Sequence, residues 1–188
     1  PMAGIAAAPG AEDYWVWENP APTANDLHGV SALDEDHVWA VGDNGTILFY
    51  DGVRWNTQIS PTNNNLNDVW AAGADDVWAV GEKGTIIHWD GTGWTARTVP
   101  SNRIAHDASL VVTPSGVVWV ATTEPRVVPG AGPADDPVYG WAAVILRLAH
   151  GQWRQWTLHT RPDGWLELHL WEVHPDGPLV ATAAGDSL

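Results

Sequence analysis

Hydrophobic and polar residues alternate along the chain in short runs that are separated by glycine- and aspartate-containing turns. Residues 66–72, 77–81, 85–89 and 94–100 form four such runs, each rich in β-branched and aromatic side chains. Runs of this length and composition are typical of strands. Between them, residues 81–84 and the pair Asp90-Gly91 have the composition of tight hairpin turns. The pattern predicts four antiparallel strands, a to d, within this stretch.

The same unit occurs twice at a spacing of 39 residues without a gap. Residues 38–55 and 77–94 share the string Val-Trp-Ala-Val-Gly-x-x-Gly-Thr-Ile-x-x-x-Asp-Gly-x-x-Trp. A four-stranded propeller blade takes about 40–45 residues. A third, more divergent unit aligns Val118-Trp119-Val120-Ala121 with the second at an offset of 41. The repeat therefore predicts an all-β fold, a β-propeller built from four-stranded antiparallel blades of about 39 residues.

The repeat also divides the chain. Residues 1–13 are predicted to be a flexible lead-in, and residues 14–188 the propeller segment. We expect full blades at 27–62, 66–100 and 108–159, with partial-blade strands at 14–20 and 166–188. Three full blades and two partial ones make an incomplete ring or part of a larger one. Because an open arc would expose apolar faces at its ends, we expect self-association or another chain to complete it.

Tryptophan is the dominant aromatic residue, with 14 copies against one phenylalanine. Six of them recur at matching places in the repeat, namely Trp39, Trp78, Trp119, Trp55, Trp94 and Trp153. A large aromatic residue at the same position of every blade is most simply explained by packing between blades. We expect these six to form core rather than a sugar site.

The charge of the chain limits the classes of partner that it can bind. Twenty-three acidic against eight basic residues give a formal net charge of −15. Such a field repels nucleic acid and anionic lipid, while cations, neutral sugars and basic protein patches remain available as partners. No stretch has the length and apolar character of a membrane span, and no cysteine is present for a disulfide or thiol chemistry.

Acidic turns recur along the chain. Residues 34–36, Asp75-Asp76 and Asp135-Asp136 place carboxylates side by side, an arrangement that can hold Ca²⁺ together with backbone carbonyls. Aspartate at a turn equally caps its own backbone, which we expect of Asp51 and Asp90. The histidine spacings match no zinc pattern. No cofactor is expected, and calcium is the one metal that these turns leave open.

The third blade contains the clearest departure from the repeat. About 19 extra residues lie between Trp119 and His150, and residues 122–137 are rich in proline, glycine and aspartate with no predicted strand. Loops that depart from a repeat commonly lie on the binding face of a repeat protein. The candidate binding residues are therefore Arg126, Tyr139, Trp141, Asp135 and Asp136. No residue stands out as catalytic.

The shared string also resembles the propeller repeats of secreted proteins and lipoproteins from myxobacteria and related bacteria. These are similar to photosystem II stability-factor-like propellers and, more distantly, to Asp-box neuraminidase repeats. The serine of the Asp-box is absent from both units. The resemblance implies an extracytoplasmic bacterial propeller that binds or scaffolds, without naming a ligand.

Three functions follow as hypotheses. The first is a non-enzymatic module that recognises a glycan or a protein partner through loops on one face. The second is a glycoside or ester hydrolase whose active site is completed by further blades or another chain. The third is a structural propeller assembled by oligomerisation.

Overall fold

The computed structural model describes residues 21–97, 108–127, 139–161, 167–172 and 180–184. These contain fourteen strands: β1 (Leu27–Asp34), β2 (His37–Gly42), β3 (Ile47–Tyr50), β4 (Trp55–Thr57), β5 (Leu66–Gly73), β6 (Asp76–Gly81), β7 (Thr85–Trp89), β8 (Trp94–Ala96), β9 (Ala108–Val112), β10 (Val118–Val127), β11 (Tyr139–Ala149), β12 (Gln152–Arg161), β13 (Glu167–Glu172) and β14 (Val180–Ala184). Two short 3-10 turns, Asp43–Gly45 and Glu82–Gly84, join β2 to β3 and β6 to β7. Within the described ranges, no helix has the length and apolar character that crossing a membrane requires.

Three four-stranded antiparallel sheets follow one another along the chain. Their strand orders are β1-β2-β3-β4, β5-β6-β7-β8 and β9-β10-β11-β12, and β13 pairs with β14 in a two-stranded sheet. Each sheet is one blade, and its strands a to d are taken in chain order. This arrangement confirms the predicted fold, a β-propeller of about three full blades with a partial blade after them. The predicted strand at 14–20 lies outside the described residues.

The first strand of each sheet lies beside the first strand of the next. β1 contacts β5, β5 contacts β9 and β9 contacts β13, so the a strands form an inner row. Among the described residues, no extensive contact leads from β13 back to β1, and the blades form an open arc.

Apolar side chains fill the space between consecutive sheets. Between the first and second blades, Trp39 and Ile47 pack against Val77 and Ile87. Between the second and third, Trp78 and Ile86 pack with a set of β9, β10 and β11 side chains. The expectation that the repeated tryptophans form core is confirmed for Trp39, Trp78 and Trp94, which are buried. Trp55, Trp119 and Trp153 are half-buried.

The face of the first blade that points away from the second blade is more exposed than the same face of the second blade. Leu27 and Val30 are 46% and 69% exposed, whereas the matching residues of the second blade, Leu66 and Val69, are 0% and 2% exposed. The first blade itself covers Leu66 and Val69. Leu27 and Val30 therefore occupy positions that a preceding blade would bury.

The prediction that residues 122–137 contain no strand was wrong for 122–127. β10 continues to Val127 and pairs residue by residue with β11, ending at the pair Val127 and Tyr139. Pro125 is compatible with this strand because, among the described residues, β9 pairs with β10 only as far as Thr122. The hydrogen-bonded ladder to β11 thus extends the strand past the point that local composition indicated.

In the first two blades, strand b ends in a glycine because the backbone of the preceding linker passes against that residue. The amides of Asp43 and Glu82 donate to the carbonyl oxygens of Asp26 and Asn65, each at 2.9 Å. A Cβ on Gly42 or Gly81 would overlap those same carbonyl oxygens. The linker between blades is thereby fixed onto the turn between strands b and c.

We predict that Gly81→Ala destabilises the protein by about 1–3 kcal/mol, since the added methyl displaces backbone rather than a flexible side chain. Gly93→Ala is the matched control, because nothing lies within 4 Å of a Cβ built there. It should change the free energy of unfolding by less than about 0.5 kcal/mol. Urea unfolding of both variants checks this, and equal effects would contradict the account.

Candidate functional site

A cleft of about 370 Å³ opens between the second and third blades. It is lined by Trp70, Ala71 and Asp76 of the second blade and by Val112, Thr113 and Gly116 of the third. These residues lie in the second half of β5, at the start of β6, at the end of β9 and in the turn between β9 and β10. The cleft therefore opens on the face of the propeller that carries the a–b and c–d turns.

Trp70 is a departure from the repeat at this cleft. It pairs directly with the repeated tryptophan Trp78 across β5 and β6. Ser31 pairs with Trp39 in the first blade, and Val111 pairs with Trp119 in the third. Among these three blades, the second alone has an aromatic side chain at this position. Trp70 is 39% exposed.

Hydrogen bonds between neighbouring a strands explain why the cleft lies here. Between the first and second blades, the Ser31 hydroxyl accepts from the amide of Ala71 at 3.0 Å. Trp70 replaces that serine in the second blade and has no hydroxyl to offer β9. The hydrogen bond between the second and third blades lies instead nearer the start of β5, where Asp68 Oδ2 accepts from the amide of Leu110 at 2.8 Å. The part of this junction nearer the a–b turns is left open beside Trp70.

Asp76 is held in place at the edge of the cleft. Its Oδ1 accepts from the indole Nε1 of Trp78 at 2.7 Å and lies 2.8 Å from Nε2 of His88. The His88 and Trp78 rings also lie against each other, with centroids 4.2 Å apart. The carboxylate is thereby fixed by two neighbours on its own blade.

His88 has a neighbour at each ring nitrogen. The guanidinium of Arg97 donates to Nδ1 at 2.9 Å, so the remaining proton sits on Nε2 and is donated to Asp76. With both nitrogens engaged, the imidazole orients Asp76 rather than acting as a general base towards a nucleophile. The chain Arg97–His88–Asp76–Trp78 is a positioning network.

The turns on this face are strongly acidic. In the first two blades they carry seven carboxylates and one guanidinium: Asp34, Glu35, Asp36, Asp51, Asp75, Asp76 and Asp90, with Arg54 as the cation. All but Asp76 are exposed. Carboxylates gathered on one face produce a negative potential that attracts cationic partners and repels anionic ones.

Asp51 and Asp90 cap their turns, as predicted. Asp51 Oδ1 accepts from the amides of Val53 and Arg54, and Asp90 Oδ1 accepts from those of Thr92 and Gly93. The Thr92 hydroxyl, followed by these amides, lowers the pKa of Asp90 to about 2. The amide of Arg54 and the side chain of Asn56 lower the pKa of Asp51. Both carboxylates are therefore ionised, and both stabilise hairpin turns.

The acidic a–b turn of the first blade is likewise engaged with itself. Asp34 Oδ1 accepts from the amide of Asp36 at 3.0 Å and lies 2.7 Å from Nδ1 of His37. The hydrogen bond from His37 lowers the pKa of Asp34. Within the described part of the chain, no group of three or more His, Asp or Glu side chains is arranged to hold a metal ion.

Three of the binding residues predicted from the insertion lie at the opposite end of the third blade. Arg126 pairs with Gly140, and Trp141 and Tyr139 face the two neighbours of Arg126 across the β10–β11 ladder. The backbone thus brings these three positions together in the extended b–c hairpin. Asp135 and Asp136 lie outside the described residues. The five residues stay a prediction, and the three described positions lie on the face away from the cleft.

Sequence reasoning missed Trp70, Asp76, His88 and Arg97 as a group. One signal was available, because the gapless repeat aligns Trp70 with Ser31 and Asp76 with His37. The contact between Arg97 and His88 has no counterpart in any spacing rule, since it depends on how β8 lies against β7.

Comparison with known proteins found similar solved structures but no matching family. No protein family model matches the chain, and no curated protein sequence matches it. Among solved structures, YCF48 bound to D1 peptide is 20% identical, with 77% of this chain and 60% of that chain covered and a TM-score of 0.44. YCF48 from Cyanidioschyzon merolae is 17% identical, with 84% and 63% covered and a TM-score of 0.38. The chain thus spans about three fifths of the length of these structures, and the likeness concerns the fold alone.

Proposed function

We propose that this chain is a non-enzymatic, extracytoplasmic binding module that holds a protein partner at the cleft between its second and third blades. The observation that carries the proposal is Trp70, a large aromatic side chain that the repeat does not require and that stands 39% exposed in a cleft. Tryptophan is among the residue types that are enriched at the energetic hot spots of protein interfaces. Asp76 beside it supplies a fixed polar group.

The electrostatics of the face favour a protein over a neutral glycan. A neutral sugar could stack on Trp70 and donate a hydroxyl to Asp76, but it would gain no charge attraction from the acidic turns. A protein segment with basic residues gains both the aromatic contact and the attraction of the acidic turns. Glycan binding is therefore an outcome that the test must be able to reveal.

A displayed library of random peptides, selected on the wild-type protein, tests this function. We expect enriched clones whose affinity falls by about tenfold or more in Trp70→Ala, the effect typical of losing an interface anchor. Trp156→Ala is the matched control, because Trp156 is 41% exposed but lies on β12, away from the cleft. It should leave binding unchanged.

Failure to enrich any clone, or clones that bind both variants equally well, would rule out a peptide-binding cleft at Trp70. A parallel glycan array separates the alternative. Binding of a glycan that depends on Trp70, with no selected peptide, would replace the protein partner by a sugar.

Assembly through the first blade is a second candidate function. Leu27 and Val30 are exposed at positions where the second blade buries its equivalents against a neighbouring blade. A second copy of the chain that covered them would extend the arc and remove the open apolar face.

Sedimentation equilibrium tests this assembly. We expect a mass above the 20.3 kDa of one chain, and a return to one chain in Val30→Asp, which places a charge in the covered face. Asp75→Asn, on the a–b turn of the second blade, is the control and should keep the larger mass. A stable mass of one chain at all concentrations would contradict the candidate.

A further inference from the structure

The cleft at Trp70 combines an exposed indole with a fixed carboxylate inside an acidic surface. We propose that its ligand is a guanidinium group, the side chain of an arginine in the partner protein, held between the Trp70 ring and Asp76. This inference rests on the proposed binding function and specifies the chemistry of the site.

The indole of Trp70 provides the surface on which a cation would stack. Tryptophan is the most favourable aromatic side chain for a cation placed over its face. The protein uses the same contact internally, because the guanidinium carbon of Arg147 lies 5.4 Å from the centroid of the Trp119 ring. Trp70 has its ring in an open cleft instead, where a group from outside can reach it.

Asp76 provides the counter-charge in a fixed position. Its Oδ1 is occupied by Trp78 and His88, which sets the orientation of the whole carboxylate. Within the described residues, Oδ2 has no hydrogen bond, and the side chain is 39% exposed. One oxygen is therefore held and the other is free to accept from a ligand, without an entropic cost for ordering the side chain.

Arg97 does not bind Asp76 directly. Its guanidinium binds Nδ1 of His88, while Asp76 lies at Nε2, so the imidazole ring separates the two groups. On the same face, the a–b and c–d turns of the first two blades carry six further carboxylates against Arg54, while Arg147 and Arg154 lie beside the c–d turn of the third blade. The carboxylates of the second blade favour a cationic ligand on its side of the cleft.

The geometry favours guanidinium over ammonium. A guanidinium is planar, so it can lie flat on the indole while its edge donates to the Asp76 carboxylate. It is also less strongly hydrated than an ammonium, which lowers the cost of entering a cleft whose other walls are Ala71, Val112 and Thr113.

The test titrates blocked pentapeptides into protein labelled with ¹⁵N at tryptophan. The probes are Gly-Gly-Arg-Gly-Gly, the same peptide with neutral citrulline or with lysine in place of arginine, and cellotriose. The Trp70 indole N–H signal is assigned by its loss in Trp70→Ala. We expect the arginine peptide to shift this signal, the lysine peptide to bind more weakly, and citrulline and cellotriose to leave it in place.

Two variants separate Asp76 from general surface charge. Asp76→Asn keeps an oxygen for Trp78 and His88 but removes the charge, and it should weaken binding of the arginine peptide by about fivefold or more. Asp75→Asn, the exposed neighbour that does not line the cleft, should weaken it by less than about twofold. Raising NaCl from about 50 to about 500 mM in the wild type must also weaken binding, a test that needs no substitution.

Several results would overturn the inference. These are equal binding of the citrulline peptide, equal losses in Asp75→Asn and Asp76→Asn, salt-independent binding, or a shift with cellotriose alone. If library-selected peptides depend on Trp70 but not on Asp76 or on salt, the binding function stands and the guanidinium site is wrong. If neither these peptides nor selected clones affect Trp70, both fail.

Discussion

The packing of one sheet against the next is the interaction on which this structure depends. No blade can bury both of its faces alone, so each of the first two repeats places a tryptophan of strand b where the following blade covers it. Trp39 shows the consequence, because its ring lies 5.3 Å from that of Trp89 and 5.4 Å from that of Trp94, both in the second blade. Other residues of the repeat support this packing. Glycines such as Gly81 let the linker lie close, and aspartates such as Asp90 hold the hairpins that set each sheet.

The same constraint decides what the sequence could predict. The blades were predictable because packing requires the same residues at the same register, and the 39-residue string displays them. The length of β10 was not, because it depends on a ladder to β11 that local composition around Pro125 obscures. The cleft was not predictable either. Its opening depends on the lack, between the second and third blades, of a hydrogen bond equivalent to the one between Ser31 and Ala71. Its polar edge depends on the contact between Arg97, just after β8, and His88.

The proposed binding site lies where a repeat of this kind can vary. Positions that pack between blades cannot vary freely, but the residue opposite the repeated tryptophan can, as Ser31, Trp70 and Val111 show. Exchanging a serine that joins two inner strands for a tryptophan removes one hydrogen bond and adds an exposed aromatic surface. The acidic turns, which stabilise the hairpins, also supply the field around that surface. In the proposed site, the carboxylates that stabilise the turns would also contribute to binding.

The most direct test of the central claim, that the Trp70 cleft binds a cationic side chain of a protein partner, is a crystal structure of the chain with an arginine-containing peptide. The account predicts a guanidinium stacked on the Trp70 indole, with a nitrogen about 2.7–2.9 Å from an oxygen of Asp76. A peptide bound instead at the β10–β11 hairpin near Arg126, with the cleft unoccupied, would contradict it.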